Sequence, residues 1–206
     1  MKKKINPNRM ELFRLRKRLV LAQRGHKLLK DKLEGLIREV DELLKRYRVL
    51  RRGFDRQFPQ LLARFTLAAA VSPEGAVAEA VGQNATGAEL HIESRRIMGV
   101  AVPAFKPPAL PQAYRYSLTQ TPPELDAAFE ELRKLPSVLF ELAEVERSLF
   151  LLARELESAR RRSNALEHVL IPELKEQRRD IEQKISEQER SNISRLMKIK
   201  DMLMQK

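Results

Sequence analysis

The chain has no cysteine, no tryptophan, only 5% aromatic residues and seven glycines among 206 residues. Without cysteine there is no disulfide framework, no thiolate metal site and no thiol nucleophile, which suits a reducing cytoplasm. With so few large side chains, a rounded core is hard to fill, and a helix-rich coiled-coil class is the simplest reading. No run of about 18 apolar residues exists, so the sequence offers no membrane-spanning helix. The basic start Met1-Lys2-Lys3-Lys4-Ile5-Asn6-Pro7 is followed by no apolar segment and does not read as a signal peptide.

Enzyme equipment is missing as well. No glycine-rich loop ends in Gly-Lys-Ser/Thr, so that route to a nucleotide is closed. The three histidines are scattered, and none has a glutamate three residues before it, as a metal site in a helix bundle would require. No catalytic residue, cofactor or metal site is expected.

What is present is a heptad ladder: Leu12, Leu15, Leu19, Ala22, His26, Leu29, Leu33, Leu36, Val40, Leu43, Tyr47, Leu50 and Phe54. Steps of three and four alternate throughout, and only His26 is strongly polar. Such a stripe demands a partner helix along its length. At roughly 1.5 Å per residue it spans about 65 Å. Asn6 and Pro7 suit a helix start, the one as cap and the other in the first turn. The spacing predicts a helix over 7–57, running on to about 70. Gly25, Gly35 and Gly53 read as tolerated interruptions.

The middle changes character, with four of the glycines and seven of the eleven prolines between Val71 and Pro123. Ala88 to Glu93 alternates apolar and polar, and Ile97 to Val102 is a second β-prone run ending at Pro103. Together they predict a β-hairpin over about 88–103, followed by an extended loop to 123. Helix resumes near Pro123-Glu124, with a break or new start expected at Pro136. A second stripe follows: Leu139, Leu142, Val145, Leu149, Leu152, Leu156, Ala159, Ser163, Leu166, Leu170, Leu174, Ile181, Ile185, Asn192, Leu196, Ile199 and Leu203. Its double step of four around Pro172 is a stutter, which locally unwinds a supercoil, and the proline favours a kink there. The fold class expected is all-α dominated: a long antiparallel two-helix coiled coil with a small middle insert. The segments are 1–58, 59–123 and 124–206, with both termini at one end.

The net charge of +12 is uneven. Residues 1 to 60 carry 19 lysines and arginines against 7 carboxylates, and residues 124 to 206 carry 16 against 17. A basic helix suits nucleic acid, an acidic membrane surface or an acidic protein partner, or it is simply a solvated face.

Asn6 to Leu12 and Ala22 to Lys32 closely resemble the opening of the D-subunit family of V-type/A-type rotary ATPases. Ile97-Met98-Gly99-Val100-Ala101-Val102-Pro103 resembles that family's mid-chain motif. Arg160 to Glu167 and Ile171-Pro172 resemble its C-terminal helix motif, with Ser163 where the family usually has valine. Glu189-Arg190 and Arg195 to Lys200 resemble its closing pattern, with Met197 replacing a basic residue. The ordered match spans both helices and the insert.

The resemblance implies a non-catalytic central-stalk rotor component. It would transmit torque between the catalytic hexamer and the membrane rotor ring, during ATP hydrolysis or ATP synthesis and proton or sodium transport. Implied partners are the catalytic A and B subunits, the small rotor F subunit and a funnel-shaped membrane adaptor. No nucleic acid and no direct membrane insertion are expected; the chain would be cytoplasmic and peripheral to the membrane. Candidate contacts to the catalytic head are Arg9, Met10, Phe13, Arg16, Lys17, Arg24, Lys27, Arg161, Arg162, Leu196 and Met204. Ile97, Met98, Gly99 and Val100 are candidate contacts to the F subunit or the adaptor, or else they cap the coiled coil. His26, Ser163 and Asn192 read as polar positions that set helix register. The alternative reading is a basic coiled-coil nucleic-acid-binding or scaffolding protein, disfavoured by the scarcity of aromatic residues for base stacking.

Overall fold

The fold comes from a computed structural model, which describes residues 8–83, 90–106, 116 and 122–204. Its elements in order are helix α1 (Arg9–Val71), helix α2 (Ala76–Gln83), strands β1 (His91–Ile97) and β2 (Val100–Lys106), helix α3 (Pro123–Ala165), a π-helical turn (Leu166–Leu170) and helix α4 (Ile171–Met204). The long helices and the small antiparallel hairpin match the expected class. Asn6 and Pro7 lie outside the described residues; the observed cap is Asn8, whose Oδ1 accepts the Met10 N–H at 3.3 Å.

The chain divides into two compact units, each built from both long helical stretches. The first comprises residues up to Glu34 together with Glu157 onward. Here Leu15, Leu19 and Ala22 of α1 bury themselves against Leu174 and Ile181 of α4, with Leu12 and Ile185 at the margins. Arg9 pairs with Glu189, and Arg16 with Glu182 at 2.9 Å, so residues rise on one helix as they fall on the other. That is the antiparallel seam the stripe calls for.

The second unit comprises Gly35 to Leu156. Leu36 and Leu43 of α1 pack on Val145 and Leu152 of α3, with Ile97 and Val100 of the hairpin laid against the same cluster. Leu36 and Leu152 are fully buried, and each contributes about 2–3 kcal/mol of apolar burial. Further along, Leu61 meets Ala128 and Leu135, and then Ala68 and α2's Ala80 meet Leu125 and Phe129. Phe129 sits between the rings of Phe65, edge-on at 5.8 Å, and Tyr116, stacked at 5.3 Å.

Three local expectations change. Pro136 does not break the helix, because α3 runs through it. The flanking Leu135 is buried against α1, and the Ser137 hydroxyl donates to the Lys134 carbonyl at 2.8 Å, so the turn is held from both sides. Leu139, first of the second stripe, is exposed; Leu135 and Leu142 carry the seam past it. The second strand continues through Pro103 to Lys106, with Pro103 opposite Ser94. Much of the loop expected between 103 and 123 lies outside the described residues.

The stutter has a defined form. The Ile171 N–H bonds to the Leu166 carbonyl, five residues back, closing one π turn. Pro172 has no N–H to offer the His168 carbonyl, and its ring crowds that carbonyl in a regular helix. One extra residue in the turn relieves the crowding and keeps both Leu170 and Leu174 on the packed side. A double step of four in sequence thus becomes a π turn in space.

Candidate partner-binding surfaces

The first surface is the C-terminal part of α4. Leu196, Ile199 and Leu203 continue the seam spacing, yet they are exposed, as are Ile193, Met197, Met202 and Met204. Leu196 is 65% and Met204 76% exposed. The cause is simple. Arg9, beside Glu189, is where the described part of α1 begins, and no other described element faces α4 beyond that point. Asn192, read as a register position, is likewise exposed. On α1, Met10 and Phe13 stand out of the seam at 61% and 55% exposure, and the Lys17 ammonium lies 4.4 Å over the Phe13 ring. Clustered exposed apolar side chains of this kind make the end of α4, with Met10 and Phe13, a candidate contact surface.

The basic candidates divide by what they already touch. Arg9 and Arg16 are committed to Glu189 and Glu182, Arg161 to Glu157 at 2.7 Å, and the Arg162 guanidinium to the Ser158 hydroxyl and carbonyl. These are exposed pairs, worth at most about 1 kcal/mol each, so a stronger partner carboxylate can replace them. Arg24 and Lys27 are exposed and have no carboxylate partner among the described residues. His26 occupies its seam position with Nε2 3.4 Å from Glu167 of the π turn, and Ser163 is buried. Both sit in the seam as register residues should.

The second surface is the hairpin. Its two-residue turn is Met98-Gly99, with φ of 48° and 83°, the left-handed conformation that such tight turns need. Glycine adopts it freely; methionine does not. The Met98 side chain lies over α1 at Gly35, where an added Cβ would come within 2.3 Å of the Met98 methyl. The bare backbone at Gly35 thus leaves a notch that the end of the flexible Met98 side chain occupies. At the other end, Glu144 of α3 accepts the Phe105 N–H at 3.1 Å and the Arg95 guanidinium at 3.2 Å. One helix seats the tip and the other ties the strands. Ile97 and Val100 are half-buried in this seat, while Met98 is 41% and Ile92 65% exposed. Sequence reasoning missed Gly35 and Glu144 as hairpin anchors. Only a glycine inside a strong heptad was there to signal the first.

Among the described residues no group of histidines and carboxylates could hold a metal ion, and no helix is long and apolar enough to cross a membrane.

The family model for the D subunit of ATP synthase matches residues 11–201. The chain belongs to the ATP synthase D-subunit family. Curated relatives match over nearly their whole length. A V-type ATP synthase D subunit of Acetivibrio thermocellus is 40% identical over 206 residues, covering 98% of this chain and 93% of its own. One from Clostridium botulinum strain Langeland is 40% identical, covering 100% and 98%, and one from Clostridium novyi is 42% identical, covering 97% and 94%. Within this family assignment, both uncovered surfaces fall inside the matched residues, apart from Met10 and the last three residues of α4.

Proposed function

We propose that the chain is the central-stalk rotor component of a V/A-type ATPase or ATP synthase. It carries torque between the catalytic hexamer and the membrane rotor ring and does no chemistry of its own. Family membership over residues 11–201 is the observation that carries this reading. The physical design agrees with it. Each unit is held by apolar packing between antiparallel helices, which resists twisting. The apolar end of α4, with Met10 and Phe13, is the contact to the encircling A and B subunits. Arg9, Arg16, Lys17, Arg24, Lys27, Arg161 and Arg162 supply angle-dependent charge contacts to the same subunits. Because these contacts differ around the helix pair, rotation presents each catalytic site with a different surface and biases its conformation.

The hairpin surface at Ile97, Met98, Gly99 and Val100 is the contact to the small F subunit or the funnel-shaped adaptor. The complex places the chain in the cytoplasm, peripheral to the membrane.

A tagged full-length chain should copurify with the catalytic hexamer as a stoichiometric complex. Leu196→Asp with Met204→Asp should lower coupled ATPase activity about tenfold or more without changing the helical content of the free chain. Copurification without any catalytic subunit would sink the reading.

A further inference from the structure

Part of the excess charge on α1 meets no carboxylate among the described residues. Between Lys45 and Arg56, two cations are committed: Arg46 to Glu141 and Arg51 to Asp55. Lys45, Arg48, Arg52 and Arg56 are exposed and have no carboxylate partner among the described residues. Their steps of three, four and four place them on the side of α1 turned away from Leu43, Leu50 and Leu61. Among them stands Val49, 70% exposed.

One turn beyond Val49 is Gly53. A Cβ added there meets nothing within 4 Å. A mid-helix glycine weakens the helix relative to alanine. At Gly35 the close approach of Met98 accounts for that; at Gly53 no described residue does. From Val49 and Gly53 the same helical row continues to Gln57 and Gln60. These two line an open groove of about 340 Å³ with Leu61 and, from α3, Leu135 and Val138, beside Lys134 and a Glu131 that is already paired with Arg64. A bare-backbone position, an exposed valine and a groove thus lie in one row, bordered by unpaired cations.

We propose that this row seats an acidic amphipathic helix from a different polypeptide of the complex. Its small apolar residues lie on Val49 and Gly53, and its carboxylates face Arg48, Arg52 and Arg56. The inference rests on the shaft reading and goes beyond it by naming the surface and the chemistry of its partner. Charge complementarity selects an acidic occupant, and the missing side chain at Gly53 allows two helix backbones to approach closely. A nucleic acid would use the same cations but has no use for the valine, the glycine or the groove, and the two rings in this stretch, Tyr47 and Phe54, are half-buried against the core and not presented beside the four cations for a base to stack on.

The chain has no cysteine, so Val49→Cys creates a unique attachment point. A benzophenone maleimide on that thiol, irradiated in the assembled complex, should cross-link to an acidic helical segment of a partner polypeptide. Arg48→Glu, Arg52→Glu and Arg56→Glu together should cut retention of that partner about tenfold, and Gly53→Leu should weaken it similarly. Gly53→Ala should raise the melting temperature of the free chain by about 2–4 °C, since no described residue lies where the added methyl would go. A thiol that stays open to a water-soluble maleimide in the assembled complex would overturn the proposal. So would a cross-link to a segment without net negative charge, or salt-sensitive binding of a short duplex DNA that the triple reversal abolishes. If no catalytic subunit joins the chain at all, the shaft reading fails first and takes this proposal with it.

Discussion

Met98 holds a backbone angle of 48° that costs a non-glycine residue roughly 1 kcal/mol, and its side chain lies in the notch at Gly35. The two features form one contact, and a double-mutant cycle tests it. Gly35→Ala improves helix propensity by about 1 kcal/mol, but its methyl must displace the end of Met98. In the native background the two effects oppose each other, and the urea midpoint should not rise. In a Met98→Ala background the obstruction is gone, and the same change should stabilise the chain by about 1 kcal/mol. Strict additivity would mean that the two residues do not meet. Glu144 works differently: its carboxylate answers a backbone N–H and a guanidinium at once, so it ties the hairpin by main chain as well as by charge.

At the scale of elements, the π turn makes the sharpest prediction. Val169 lies within it and is 63% exposed. Deleting Val169 together with Pro172→Ala removes the extra residue and the reason for it. Leu166, Leu170 and Leu174 then return to steps of three and four. The variant should keep its helical content and gain at least about 1 kcal/mol in chemical denaturation, since a regular helix replaces an irregular one. A loss of stability would show that the bulge, not the regular helix, is what the seam prefers.

Much of this was legible from the residues. The ladder from Leu12 to Phe54 became a seam in which every member is at least partly buried, and the double step of four lies over the π turn, although as a sequence it reads as an unwound, kinked stretch and not as a bulge. The helix through Pro136 was not legible, because proline signals a break locally while the burial of Leu135 against α1 is a long-range matter. The short helix α2 also escaped. Ala76 to Gln83 has little periodic signal of its own, and only Ala80 is fully enclosed, against α1 and α3. Nor did the sequence distinguish Gly35 from Gly53, which differ only in what other parts of the chain bring near them.

At the scale of the molecule, stability and function occupy different residues. Buried side chains on α4 end at Ile181, and Ile185 is the last partly buried one. Truncation after Ser186 removes one exposed ion pair, Arg9–Glu189, and no buried side chain. The melting temperature of the free chain should therefore move by no more than about 2 °C. Coupled ATP hydrolysis in the reassembled complex should nonetheless fall sharply. An equal loss of both would mean that the end of α4 supports the fold rather than the contact. The uneven charge follows the same separation. Glu189, Glu182, Glu141 and Glu131 answer Arg9, Arg16, Arg46 and Arg64 of α1, while Lys45, Arg48, Arg52 and Arg56 keep no carboxylate partner among the described residues and remain available to partners.

The π turn also has an evolutionary consequence. One residue there is surplus to the seam: the packed faces before and after it remain aligned whether it is present or absent, provided the bulge comes and goes with it. A relative that has lost the proline at position 172 is thus free to be one residue shorter between Ser163 and Leu174 with its leucines still in step. Such a gap would not misplace the seam; it would trace the same surface in a lineage where the proline no longer forces the detour.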